Sequence, residues 1–98
     1  MKEVFFIHME NYSKAKNIVF TDDVVARQTV NFREARALGM QKDGYYLEID
    51  GPQEAIHRAK ELLAEIAKVV EHKEKEEVLH KIKAEEDKAA EGFGSLFG

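Results

Sequence analysis

From Gln53 to Glu91 the chain contains neither glycine nor proline, and Ala, Glu, Lys and Leu predominate. No other feature narrows the possible folds as much, because such a stretch favours helix at nearly every position. Pro52 opens it well, since the N–H that proline lacks would have no partner in a first helical turn. Glu54 with Arg58, Glu71 with Lys75 and Glu77 with Lys81 add favourable pairs one turn apart. Within the stretch Ile56, Ala59, Leu63, Ile66 and Val70 recur at steps of three and four, with Ala55, Leu62 and Ala67 beside them. That spacing draws one apolar stripe, which predicts a helix packed on a sheet.

The stripe ends at Val70. The next seven residues, Glu71 to Glu77, contain no apolar side chain, and burial resumes only with the small patch Val78, Leu79 and Ile82, about one residue out of heptad register. A single helix over residues 52–91 would measure roughly 60 Å, against roughly 35 Å for a domain of this size. The helix must therefore break or project at the charged segment.

Upstream, Lys2 to Met9 is β-branched and aromatic without helical spacing, which predicts a buried central strand. Residues 11–17 are polar and turn-like, and Ile18 to Phe20 offers a short apolar run as a possible second strand. Residues 21–39 admit two readings. Thr21 followed by two acids, and Asn31 with Glu34 as a capping box, favour helix with Gly39 just past its end. The alternation of Val30 and Phe32 with polar neighbours supports a competing strand over Thr29 to Arg33, and helix is preferred. Asp43-Gly44 signals a turn, after which Tyr45, Leu47 and Ile49 alternate with Tyr46, Glu48 and Asp50 as a half-buried strand.

These elements predict an α+β fold, a two-layer sandwich with a small, mainly antiparallel sheet and helices on one face, ferredoxin-like or related. A long C-terminal helix completes it. The expected division is a globular body over 1–70, a charged helical extension over 71–91 and a Gly/Phe tail over 92–98. At 98 residues and 44% hydrophobic content a single core is expected.

Chemistry is constrained mainly by what is missing. Without cysteine there is no disulfide, thiolate nucleophile or Cys-ligated metal. Ser13 and Ser95 have no motif pairing them with a His and an acid, and Gly39, Gly44 and Gly51 stand singly rather than in a phosphate-binding loop. His72, Glu76 and His80 share a helix face but sit among charges, which reads as a solvated surface rather than a metal site. Asp22 and Asp23 read as capping acids, and His8 and His57 as packing or surface residues. The expectation is no catalysis, no metal and no cofactor. Val4 to Ile7, the apolar run near the start, is too short for a membrane span or secretory segment, which points to a cytoplasmic protein without membrane contact.

Charge is uneven: residues 11–42 balance to +3 and residues 43–98 to −6, within a net −4. Two functions follow as expectations. The first is a non-catalytic protein-protein interaction or self-association module, a homodimer or a binder of another protein, engaging its partner through the C-terminal segment. Its contact residues would be Val78, Leu79, Ile82, Phe93, Leu96 and Phe97. The alternative is a nucleic-acid or anionic-ligand binder using Lys14, Lys16, Arg27, Arg33 and Arg36.

Overall fold

The computed structural model describes the backbone of residues 1–97 and the side chains of residues 1–89. In chain order the elements are β1 (Lys2–His8), α1 (Tyr12–Thr21), β2 (Thr29–Glu34), β3 (Gly44–Asp50), α2 (Gln53–Leu63), β4 (Lys68–Val69) and α3 (His72–Phe97). Single 3-10 turns lie at Met9–Asn11, Val25–Arg27 and Arg36–Leu38. The strands form one antiparallel sheet in the order β2-β3-β1-β4. Each crossover, β1 to β2 through α1 and β3 to β4 through α2, leaves a gap of one strand that the other unit fills.

The continuous apolar run of β1 sets the layering. Phe5 and Ile7 point to one face and Val4 and Phe6 to the other, and Val4, Phe5 and Ile7 are all fully buried. On the first face Phe5, Ile7, Leu47 and Ile49 pack beneath α1 and α2 through Ala15, Val19, Ile56, Ala59 and Leu63. On the second face Val4 and Tyr46 pack beneath α3 through Val78 and Ile82, with Ala35, Leu38 and Val70 completing the cluster. Helices therefore cover both faces, and the expected two layers are corrected to three. A strand apolar on both sides cannot leave one side to water, and α3 supplies the missing cover.

The predicted long helix breaks earlier than its charged segment. α2 ends at Leu63, whose carbonyl accepts from the amides of Ile66 and Ala67 at 3.1 and 2.8 Å, and β4 then pairs with Phe5 and Phe6 of β1. The Val70 amide extends that pairing by donating to the Val4 carbonyl at 3.1 Å. Ile66 and Ala67 stay with the first core while Val70 joins the second. The apparent single stripe is thus two, and the chain passes around the β1 edge between them. Satisfying that edge and covering Val4, Phe6 and Tyr46 outweighs the helix propensity of a few residues.

Two further expectations are corrected between residues 11 and 39. The polar stretch from Tyr12 is helix α1, which buries only Ala15 and Val19 and so lacks a strong apolar period. Residues 29–34 are strand β2, the competing reading, because pairing with β3 along Thr29 to Glu34 satisfies one side of its backbone. Gly39 does close a helical turn in the left-handed region, at φ 85°, but the turn is the 3-10 segment Arg36–Leu38.

Polar contacts fix the helices to the sheet. The buried Tyr46 hydroxyl donates to Glu74 Oε2 at 2.6 Å, and Lys42 Nζ donates to the same oxygen at 2.7 Å. Burial, and then the Glu74 carboxylate, raise the Tyr46 hydroxyl well above the ordinary tyrosine range. Burial also opposes the charge on Glu74, but the bonds from Lys42 and Tyr46 prevail and hold it below its ordinary value. The nearly buried Glu3 lies within 3.3 Å of Lys60 on α2 and 3.5 Å of Lys75 on α3, joining the two helical layers across the sheet. Arg58 of α2 grips Asp22 with bonds of 2.6 and 2.8 Å, while Asp22 also accepts from the amides of Val24 and Val25.

Candidate interaction surfaces

The residues expected to meet a partner through α3 are placed otherwise. Val78 is fully buried and Ile82 is 3% exposed, both in the chain's own second core, with Leu79 half-buried against it. Val78 and Ile82 are thus core side chains held under Val4 and Tyr46, which leaves them little surface for a second protein, while Leu79 keeps part of its side chain in the open. Phe93, Leu96 and Phe97 fall outside the described side chains.

The five cations of the basic segment do not share a surface. Lys14 and Lys16 lie exposed on α1, on the side of the sheet that α1 covers. Arg33 projects from the opposite face, because Val30 and Phe32 on the same strand pack toward α1 and side chains alternate. Arg36 is paired with Asp43 at 2.7 Å, and Arg27 ends the turn Val25–Arg27. His72 pairs with Glu76 at 3.1 Å, both well exposed, and among the described residues no group of three His, Cys, Asp or Glu side chains is placed to hold a metal. Among the same residues no helix is long and apolar enough to cross a membrane.

The structure instead brings forward the outer edge of β2. The Ala35 amide donates to the Gly44 carbonyl at 2.9 Å, so these two residues face each other as a hydrogen-bonded pair. In an antiparallel ladder such pairs alternate. Arg33, Asn31 and Thr29, opposite Tyr46, Glu48 and Asp50, therefore direct their N–H and C=O toward β3. Val30, Phe32 and Glu34 direct theirs outward, where, among the described residues, the Phe32 carbonyl meets only the guanidinium of Arg33 at 3.5 Å. The strand has six residues, no proline and no lysine. By contrast the other edge, β4, has only two residues. Long, regular, unprotected edges are uncommon in natural sheets, because they invite pairing with another chain.

Aromatic side chains flank this edge on the α1 side. Tyr12 stacks on Tyr45 with ring centres 3.7 Å apart and lies edge-on to Phe32 at 5.5 Å, while Phe20 leans on Phe32 at 6.0 Å. Phe20 is 49% exposed, and Tyr12, Phe32 and Tyr45 are partly so. Lys16 sits 5.8 Å above the Tyr12 ring. The alternation of Val30 and Phe32 carried a signal for this strand in the sequence. Its position at the sheet edge had none.

On the opposite face a polar cleft of 610 Å³ opens between the sheet and α3. Its floor is Glu48, which is 6% exposed and accepts from Asn31 Nδ2 at 3.0 Å, with Lys2 Nζ 3.7 Å from its second oxygen. Asp50 and Thr29 extend the floor, and His80 and Lys83 of α3 stand over it. The cleft is thus anionic at its base and adjoins the β2 edge through Asn31.

No protein-family model matches this chain, and neither a curated protein nor a solved structure matches it.

Proposed function

We propose that this protein is a non-catalytic association module that binds an extended segment of polypeptide along the outer edge of β2. The observation that carries this reading is the row of outward backbone groups at Val30, Phe32 and Glu34, bordered by the aromatic cluster Tyr12, Phe20, Phe32 and Tyr45. Strand addition takes its affinity from main-chain hydrogen bonds and its selectivity from alternate side chains. Here one set of partner side chains meets Phe20 and Phe32, and the other meets Arg33. A suitable segment therefore alternates apolar residues with polar or acidic ones. The binding element is β2 rather than α3, whose apolar residues Val78 and Ile82 serve the core. The strand order, with two crossovers each spanning one strand, supports the ferredoxin-like description as the finer account of the fold.

A capped hexapeptide alternating valine or phenylalanine with glutamate tests the reading. Its addition should slow exchange of the Val30, Phe32 and Glu34 amides and leave those of Asn31 and Arg33 nearly unchanged, since the latter already bond to β3. Unaltered exchange at all three outward amides under saturating peptide refutes it.

A further inference from the structure

We infer that the natural occupant of the β2 edge is a second copy of this chain, paired antiparallel about a two-fold axis through Phe32. The inference rests on the strand-addition reading above and names the partner. A two-fold axis normal to the sheet keeps each face continuous between copies, so residues facing each other must point to the same side, and outward backbone groups must meet outward groups. Both conditions restrict the axis to a residue rather than a gap between residues. Three centres bring most of β2 into contact: Asn31, Phe32 and Arg33.

Centring on Arg33 sets two guanidinium groups directly opposite each other, which is unfavourable. It also extends the pairing to Arg36, already in a 3-10 turn. Centring on Asn31 brings Glu34 opposite Gln28, whose amide is already bonded to the Val25 carbonyl at 3.0 Å. Centring on Phe32 pairs Phe32 with itself and Val30 with Glu34 in both directions. Every outward N–H and C=O of the strand is then used and none is drawn from a neighbouring turn.

The side chains agree with the same register. On the α1 side the two Phe32 rings meet at the axis with an exposed Phe20 beside each, giving the contact an apolar centre. On the other side Arg33 of each copy faces Asn31 of the other. The Asn31 amide nitrogen is committed to Glu48, so its carbonyl oxygen remains to accept from the guanidinium. The same placement brings that cation beside Glu48 and Asp50, the anionic floor of the cleft. A cation whose one hydrogen bond among the described residues is a 3.5 Å contact thus gains complementary charge in the second copy.

The chain has no cysteine, so engineered ones report without background. Facing residues in the non-hydrogen-bonded positions of an antiparallel pair lie about 4.5 Å apart between Cα atoms, within disulfide range. Asn31→Cys and Arg33→Cys prepared separately should each fail to cross-link under mild oxidation, and their mixture should give a covalent species of twice the 11.2 kDa chain mass. Cross-linking of Asn31→Cys alone would put the axis on Asn31 and overturn the register. Sedimentation of the unaltered chain should give the doubled mass over a dilution series. Phe20→Glu, at a half-exposed position beside the axis, should return it to the single mass while leaving the circular dichroism of the folded chain in place. A single mass for the unaltered chain at every concentration overturns the inference. If such a monomer still binds the alternating peptide at Val30, Phe32 and Glu34, only the second copy is removed; if it does not, the strand-addition reading falls with it.

Discussion

Gly44 begins β3 opposite His8 of β1, and a Cβ there would collide with the Ile7 carbonyl oxygen and the Phe6 ring. The ring could turn aside, but the carbonyl belongs to the strand paired with β3 and cannot move without disturbing that ladder. Gly44→Ala should therefore lower stability by about 1–3 kcal/mol, the usual cost of overpacking, read as a shift in the urea midpoint. Asp22 makes a different kind of contribution. The guanidinium of Arg58, followed by the amide of Val25, draws its carboxyl from the ordinary 3.8 down to about 2. A carboxyl held lower in the folded than in the unfolded chain stabilises fully above its unfolded value, and that contribution fades as pH falls from 3.8 toward about 2. Arg58→Ala should therefore weaken the protein at neutral pH and move the Asp22 carbon resonance titration upward toward 3.8. Near pH 2 the stabilities of variant and parent should converge. A titration midpoint unchanged by the substitution would contradict this account.

At the scale of elements, α3 is a structural layer and not an appendage over the part that packs on the sheet. Ile82 is buried against Tyr46 and its neighbours, so Ile82→Ala should cost about 2–5 kcal/mol, whereas His80→Ala, at an exposed position over the cleft, should stay within about 0.5 kcal/mol. Ending the chain after Val70 would uncover Val4, Phe6 and Tyr46 and leave the Tyr46 hydroxyl without Glu74. Such a fragment should bind a hydrophobic dye and lose near-ultraviolet circular dichroism rather than persist as a folded body. The sequence held part of this. The run Val4 to Ile7 is apolar on both strand faces and demands two covering layers, and Tyr45 to Asp50 reads plainly as a strand by alternation. α1 is hard to read because only Ala15 and Val19 are fully buried, with Tyr12 and Ile18 partly so, and its other positions are mostly polar. The turn after Leu63 carries no glycine or proline, and what ends α2 there is the free edge of β1, a tertiary partner no local pattern records. The β2 surface was half legible for the same reason: Val30 and Phe32 announce a strand, while edge or centre is decided by strand order.

For the molecule as a whole, two cores lie back to back on a shared pair of strands. β1 and β3 contribute Phe5, Ile7, Leu47 and Ile49 to one core, and Val4 and Tyr46 to the other. Opening either core separately would leave the other resting on a sheet whose exposed face is apolar. Undocking α3 alone would bare Val4, Phe6, Tyr46, Val70, Val78 and Ile82 at once, and burial of one such side chain is worth about 1.5–3 kcal/mol. That burial is a large share of what the domain gains on folding, so release of α3 should be coupled to global unfolding. Ile82→Ala should then accelerate the slowest amide exchange in β1, β3 and α2 by the same factor as in the buried half of α3, although α2 never touches the substituted residue. Faster exchange confined to α3, with the α2 amides unchanged, would mean that the two cores unfold independently and that the shared strands do not couple them.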